Sequence, residues 1–494
     1  MTTCSPVVVV GDALLDRDVT GRATRLCPDA PVPVLDELES HPRPGGAALA
    51  AALAAADGHE VHLIAAIGHD AAGEELRNLL EARDVHLVAV DTGGATPEKI
   101  RLLAEGRPMI RWDRGGERTP PARLSESALT AVEQAAVVIV SDYGRGITAD
   151  EGLRRAIRRR RRATLWDPHP RGSQAPPGVT LITPNLVELR SFLSAQSCPT
   201  GGPMDRSGPV GAGTSGGAAA DTAGGVGNLR ELADQAGLAR RLWQARAVAV
   251  TLGPAGALLV DGDGPPLAVP AAAVSGGDPC GAGDRFVTAV AGALVGGASL
   301  SEAVTDGVAT AAGFVRRGGA RLVAAPSRGG AEEGGRAVGG ETAGGDAVAL
   351  AARVRSAGGT VVVAGGCFDL LHAGHLSLLE AASRLGDCLI VAMNSDASIR
   401  RLKGDGRPVV PEPDRVALVA GLACVDAVAV FAEDSPADLL GRLRPHVFVK
   451  GGDYASRVLP EAAAVASWGG QAVVVPYLSG RSTSGLLRSA RHLG

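Results

Sequence analysis

Asp284 closes the turn Gly281-Ala282-Gly283-Asp284, where an extended stretch passes through glycines into the helical pattern 282–295. Backbone N–H groups of Gly281, Ala282 and Gly283 would face one concavity at the positive end of a helix dipole. Such a concavity binds a phosphate and steadies charge during its transfer. Asp284, in the first helical turn, can take the proton of an attacking hydroxyl. The same residues also suit a plain glycine turn with Asp284 as a helix cap. A second set is Gly365-Gly366-Cys367-Phe368-Asp369-Leu370-Leu371-His372-Ala373-Gly374-His375, after the strand pattern 360–364. His372 and His375 share one face of a helical first turn and can donate hydrogen bonds to nucleotide phosphates, helped by the dipole. The competing readings are two surface histidines or a metal pair. A zinc site would want a third ligand at motif spacing, and none stands out.

Both sets need elements that hold them. Short β-branched runs at 6–10, 61–66, 136–140, 163–166, 179–182, 247–251 and 257–260 predict strands. Ala/Leu-rich periodic runs at 45–57, 70–83, 125–134, 149–161, 228–243, 282–295 and 300–316 predict helices between them. Further on, helices at 346–356, 373–385, 412–422 and 435–443 alternate with strands at 360–364, 387–393, 427–431 and 446–449. This alternation predicts an α/β fold with parallel sheets covered by helices on both faces. The Pro-punctuated stretch 17–38 reads instead as a small β-flap paired with 98–112. Residues 197–227 and 324–345 are Gly-rich and lack an apolar face, so the first reads as a flexible insertion and the second as an interdomain linker.

Composition removes several functions. The chain has 494 residues, enough for two to four domains at roughly 100–200 residues each. Lys+Arg 49 against Asp+Glu 53 leaves a net charge of −4, with no basic excess to hold nucleic acid or an anionic membrane. The run Arg158 to Arg162, with Arg154 and Arg155, reads as the solvated face and last turn of a helix. Aromatic residues are 3%, too few for base-stacking platforms, whereas 45% apolar residues suffice for large cores. The seven cysteines form no C-x-x-C pair and suit reduced thiols. No signal peptide is seen, and no apolar run reaches the roughly 18 residues of a membrane span. A cytoplasmic location is the expectation.

Gly11-Asp12, with Asp16, follows the first strand, and Gly45-Gly46 opens a helix. Thr183-Pro184-Asn185-Leu186-Val187-Glu188 and Thr251-Leu252-Gly253-Pro254-Ala255-Gly256 follow two others. With the Gly281–Asp284 turn, these residues resemble the ribokinase-like sugar kinases over about 1–322. The resemblance implies a mostly parallel sheet with a flap, Asp284 as catalytic base, and Gly281, Ala282 and Gly283 as the anion hole. It implies ATP at Asn185, Leu186, Val187, Glu188, Gly253 and Gly256, and the sugar at Asp12, Asp16, Gly45 and Gly46. Mg²⁺ would travel with the nucleotide, with Glu188 nearby and no dedicated metal site. A homodimer through this domain is expected. The phrases Thr24–Val34, Arg43–Ala48 and Ser141–Gly146 are similar to the heptose 7-phosphate kinase branch. Leu49 departs from it by standing where an Asn is usual, and a lost amide could remove a sugar contact worth ~1–3 kcal/mol.

Asn394-Ser395-Asp396, Arg401-Leu402-Lys403-Gly404, Arg415 and Ser482-Thr483-Ser484 follow the histidine pair in order. Residues 358–491 thereby resemble the cytidylyltransferase-like nucleotidyltransferases, a smaller Rossmann-like domain. The resemblance implies that His372, His375 and Lys403 stabilise the transition state at the α-phosphate. It implies nucleotide contacts at Gly366, Phe368, Asp369, Arg415, Ser482, Thr483 and Ser484. The two domains in this order, at 1–322 and 346–494, resemble the bifunctional heptose 7-phosphate kinases and heptose 1-phosphate adenylyltransferases. ATP, Mg²⁺ and sugar phosphates are then the expected ligands, and a precursor of lipopolysaccharide core the expected product. A kinase fused to a cytidylyltransferase for another alcohol phosphate is the alternative, because the histidine motif alone does not separate ATP from CTP.

Overall fold

The computed structural model describes residues 5–115, 123–196, 229–272, 274, 276–324, 347–404, 406–452 and 459–476. They group into two compact units. The described parts of Met1–Pro203, Leu238–Pro254 and Ala272–Gly329 form the first. Those of Met204–Gly237, Ala255–Ala271 and Gly330–Gly494 form the second.

In the first unit the chain runs through β1 (Val7–Gly11), β2 (Ala13–Leu26), β3 (Pro33–Gly46), β4 (Val61–Ala66), β5 (Val85–Val90), β6 (Glu98–Ala104) and β7 (Arg107–Arg114). It continues through β8 (Val137–Ser141), β9 (Thr164–Asp167), β10 (Leu181–Ile182) and β11 (Ala247–Thr251). The main sheet is parallel in the order β11-β10-β9-β8-β1-β4-β5. β1 and β8, Val7-Val8-Val9-Val10-Gly11 and Val137-Val138-Ile139-Val140-Ser141, are buried along their whole length, as strands covered on both faces must be. Helix Ala47–Ala56 is so rich in Ala that it fits against β1 with eight buried residues. Helix Ala282–Val295 packs beside it.

The flap is larger than the spacing predicts. It is a separate sheet ordered β3-β2-β6-β7, with β2 antiparallel to β3 and parallel to β6. β3 continues to Gly46 instead of yielding to a helix at 45. Its buried end, Arg43 to Gly46, therefore enters the site as strand. β7 is exposed throughout, and Leu26, Leu38, Met109, Ile110 and Trp112 are exposed apolar side chains on this flap.

The arginine run ends helix Glu151–Arg159. Arg160 donates to the carbonyls of Val132, Glu133, Ala135 and Ala163, and Arg154 and Arg158 lie beside Glu151. Burial lowers the Arg160 pKa to about 10, so it stays charged at neutral pH.

The second unit holds the hairpin β12 (Ala257–Asp261) and β13 (Leu267–Val269), then β14 (Val361–Gly366), β15 (Cys388–Asn394), β16 (Ala427–Phe431), β17 (Val447–Gly451) and β18 (Gln471–Val475). The last five are parallel in the order β16-β15-β14-β17-β18. The order reverses at β14, so the crevice at its carboxyl end is where a doubly wound sheet binds ligands. Helix Asp396–Lys403, capped by Ser395, and helix Ala462–Ser467 are short and escape periodicity reading. Among the described residues, no helix is long and apolar enough to cross a membrane.

Candidate active sites

The Gly281–Asp284 turn forms as its sequence requires. Gly281 adopts φ 78° as N-cap of helix Ala282–Val295, a left-handed conformation that suits glycine. A Cβ there would also approach Leu49 Cδ2 to 2.9 Å. Ala282 departs from the expected anion hole, because its N–H is already donated to Pro279 O at 3.1 Å. Asp284 follows with only 8% exposure. Burial raises its pKa to about 7, although the Tyr143 hydroxyl and the Lys99 charge pull the other way.

On the sugar side, Gly45 lies against Asp16 so closely that a Cβ would stand 2.8 Å from Asp16 Cγ. Asp16 and Asp18 surround Arg43, which is 1% exposed, at 3.5 and 2.8 Å. Arg101 approaches Asp18 at 3.3 Å and Cys280 Sγ at 2.9 Å. Asp16 Oδ1 and Arg43 Nε are buried without a hydrogen-bond partner among the described residues, so this cluster keeps polar capacity for a ligand. Asp12 is committed differently. Its Oδ2 accepts the backbone N–H groups of Tyr143 and Arg145, both at 2.9 Å, and so it holds the loop after β8.

On the nucleotide side, Asn185 and Glu188 cap their helix reciprocally: Asn185 N–H donates to Glu188 Oε2 at 2.8 Å, and Glu188 N–H to Asn185 Oδ1 at 2.9 Å. Leu186 and Val187 supply the first helical turn between them. Asn185 pairs with Thr251, two residues before Gly253, whereas Gly256, which turns at φ 98° against Val269 O, falls in the second unit. Burial raises Glu188 to about 7, and Asp167, buried near Glu188 and Asp284, is raised further by both charges.

The second unit builds its site at the end of β14. His372 caps helix Ala373–Ser383, its Nδ1 accepting Gly374 N–H at 3.1 Å. Its ring stacks on His375 with centroids 3.9 Å apart, and Phe368 packs on His375 at 5.4 Å. Burial, then the neighbouring His372 and Lys403 charges, lowers His375 to about 4, so this imidazole is neutral at pH 7. His375 Nδ1 is buried with no hydrogen-bond partner among the described residues. Lys403 ends helix Asp396–Lys403, exposed to solvent. Ser482, Thr483 and Ser484 lie outside the described residues.

Residues 5–328 match the profile described as pfkB family carbohydrate kinase, and residues 363–473 match the Cytidylyltransferase-like profile. The chain is 52% identical over 489 residues to the Bifunctional protein HldE of Streptomyces coelicolor, covering 99% of this chain and 97% of that one. It belongs to the HldE family of bifunctional proteins. The proteins of that name from Azorhizobium caulinodans and Pseudomonas aeruginosa are 36% and 34% identical, and this chain spans 99% and 98% of them. The chain is accordingly an enzyme with two activities, a heptose kinase and an adenylyltransferase.

Within this HldE-family chain, two residues take other roles than the expected ligand contacts, and Leu49 packs into the core. Asp369 is buried and accepts from Arg407 Nη1 at 2.8 Å and from the amides of Val409 and Val410 at 3.0 Å. Arg415, 1% exposed, makes four hydrogen bonds into the protein: to Val410 O, Cys367 O, Asn394 O and Asp396 Oδ1. Both side chains therefore brace the loop that carries Gly366 and Phe368, with their charge already compensated internally. Leu49 packs with Leu53, Phe314 and Ala320 beneath Gly281, with Cys280 against them. An Asn at 49 would be buried among apolar groups, so the lost-amide expectation does not describe this site. Tyr143, Lys99, Asp167, Arg43 and Arg101 join the site without having been singled out in the sequence for a role there.

Proposed function

We propose that the first unit phosphorylates O1 of D-glycero-β-D-manno-heptose 7-phosphate with ATP, and that the second transfers the adenylyl group of ATP to heptose 1-phosphate. The observation that carries the kinase reading is a buried carboxyl with a pKa near 7 on a glycine turn at a helix N-terminus. As O1 attacks Pγ, its proton passes to Asp284, the O1–Pγ bond forms, the Pγ–O bond to ADP breaks, and Gly281 and Gly283 face the transferred phosphate. Asp16, Arg43 and Gly45 hold the sugar end.

In the second step a phosphate oxygen of heptose 1-phosphate attacks Pα, and pyrophosphate leaves. That oxygen is already ionised, so positioning, hydrogen bonds from His372 and His375 and the positive charge of Lys403 suffice. Mg²⁺ fits the kinase site as a companion of the triphosphate. Glu188 and Asp167 would face it and supply carboxylates, the ion's own charge favouring their ionised forms, and among the described residues no cluster of three or more ligands would hold it alone. When bound it would neutralise phosphate charge. Mass spectrometry of products from heptose 7-phosphate, ATP and a phosphatase tests the assignment. ADP-heptose is expected, and its absence with intact ATP turnover overturns the sugar assignment.

The same reading includes a homodimer through the flap, supported by its exposed Leu38, Ile110 and Trp112. Replacing Leu38 and Trp112 by Glu should convert a dimer to a monomer in light scattering. A parent chain that is already monomeric at 50 µM, about the highest working concentration, removes the proposal.

A further inference from the structure

Tyr143 lies between the sugar side of the kinase site and its base. Its backbone N–H is fixed by Asp12 Oδ2, and its hydroxyl donates to Asp284 at 3.2 Å from Oδ1 and 3.4 Å from Oδ2. Lys99 Nζ stands 5.2 Å from the centroid of its ring, and His169 stacks at 6.4 Å. We propose that Tyr143 is the positioning residue of the kinase base, its hydroxyl holding the Asp284 carboxylate ionised and turned toward the acceptor. This deepens the reading given above and rests on Asp284 being that base.

The groups facing Asp284 are Lys99 from β6, Asp16 from β2, Asp167 from β9 and Tyr143 from the loop after β8. Asp16 and Asp167 oppose its ionisation, and Lys99 favours it from a distance. Tyr143 is the side chain that favours it through a hydrogen bond, and the backbone N–H of Asp284 itself adds a smaller contribution in the same direction. The hydroxyl is a dependable donor because burial, then the Asp284, Asp167 and Asp16 charges, holds its pKa well above the ordinary value. A base must be ionised to accept a proton, so losing this donor moves the acid limb of the rate profile to higher pH.

Tyr143→Phe in the full chain is the test. Its kinase kcat should show the acid limb raised by about one pH unit, and an activity about fivefold lower at neutral pH that recovers in alkali. KM for ATP and sugar phosphate should stay within about twofold, and adenylyl transfer should be unchanged. A second arm uses the fact that the chain has only 3 Tyr, of which Tyr143 alone lies in the kinase half. Biosynthetic replacement by 3-fluorotyrosine makes a stronger donor and should move the limb to lower pH. An unmoved limb in both arms, or a rise in KM without a change in limb, overturns the proposal. If Asp284→Asn stays active, the base itself is misassigned; if that variant is inactive while both limbs stay in place, only the role of Tyr143 falls.

Discussion

Asp284→Asn should lower kinase turnover by about 10³-fold or more, the scale of a lost, positioned general base. Adenylyl transfer from supplied heptose 1-phosphate should be untouched, since His372, His375 and Lys403 all belong to the other unit. The variant should also be more stable than its parent in mild alkali. Burial raises the folded pKa of Asp284 from 3.8 to about 7, so the native state binds this proton more tightly than the unfolded chain. The carboxyl therefore contributes stability that is present below pH 3.8 and lost as pH rises through about 7. An amide keeps an acceptor for Tyr143 and carries no charge to bury. Thermal midpoints of variant and parent should accordingly converge near pH 4 and separate above pH 7. Kinase activity within tenfold of the parent would remove Asp284 from its role, and a variant less stable at pH 8.5 would refute the burial argument.

His375→Ala carries the second large effect. The imidazole is neutral, stacked on His372 with the tilted Phe368 ring against it, and keeps one buried nitrogen without a partner among the described residues. A side chain fixed in this way can form a hydrogen bond to phosphate as charge develops, without reorganising. Removing one such preorganised donor typically costs about 10²–10³ in turnover. The loss should appear in kcat far more than in KM for ATP, because the contact tightens in the transition state. Kinase activity should be normal in the same preparation. Normal adenylyl transfer accompanied by loss of bound zinc would replace the phosphate-donor role by a metal one.

Residues whose type and neighbours share one short segment were readable before any coordinates. The Gly281–Asp284 turn, the Asn185–Glu188 pair and the histidine helix start are local motifs, and the strands that deliver them are unbroken β-branched runs. The partners of those residues were not readable. Tyr143 reaches Asp284 across 141 positions, and Arg101 reaches Cys280 across 179, so only the parallel sheet and its flap bring them together. A residue type also does not say where its charge is spent. Asp369 and Arg415 stand in the right stretch for ligand contacts, yet the fold uses both internally.

That internal use bears on how the nucleotide is received. Phe368 and Leu370 adopt φ 48° and 49°, a conformation that costs a non-glycine residue about 1–3 kcal/mol. The bonds of Asp369 and Arg415 offset that cost while the chain folds, before any ligand arrives. Calorimetry should therefore find little conformational entropy lost from the 366–370 loop when ATP enters the second unit, since these bonds brace that loop beforehand. Substitutions at Asp369 or Arg415 would weaken nucleotide affinity by loosening that loop, although neither side chain need touch the bound molecule.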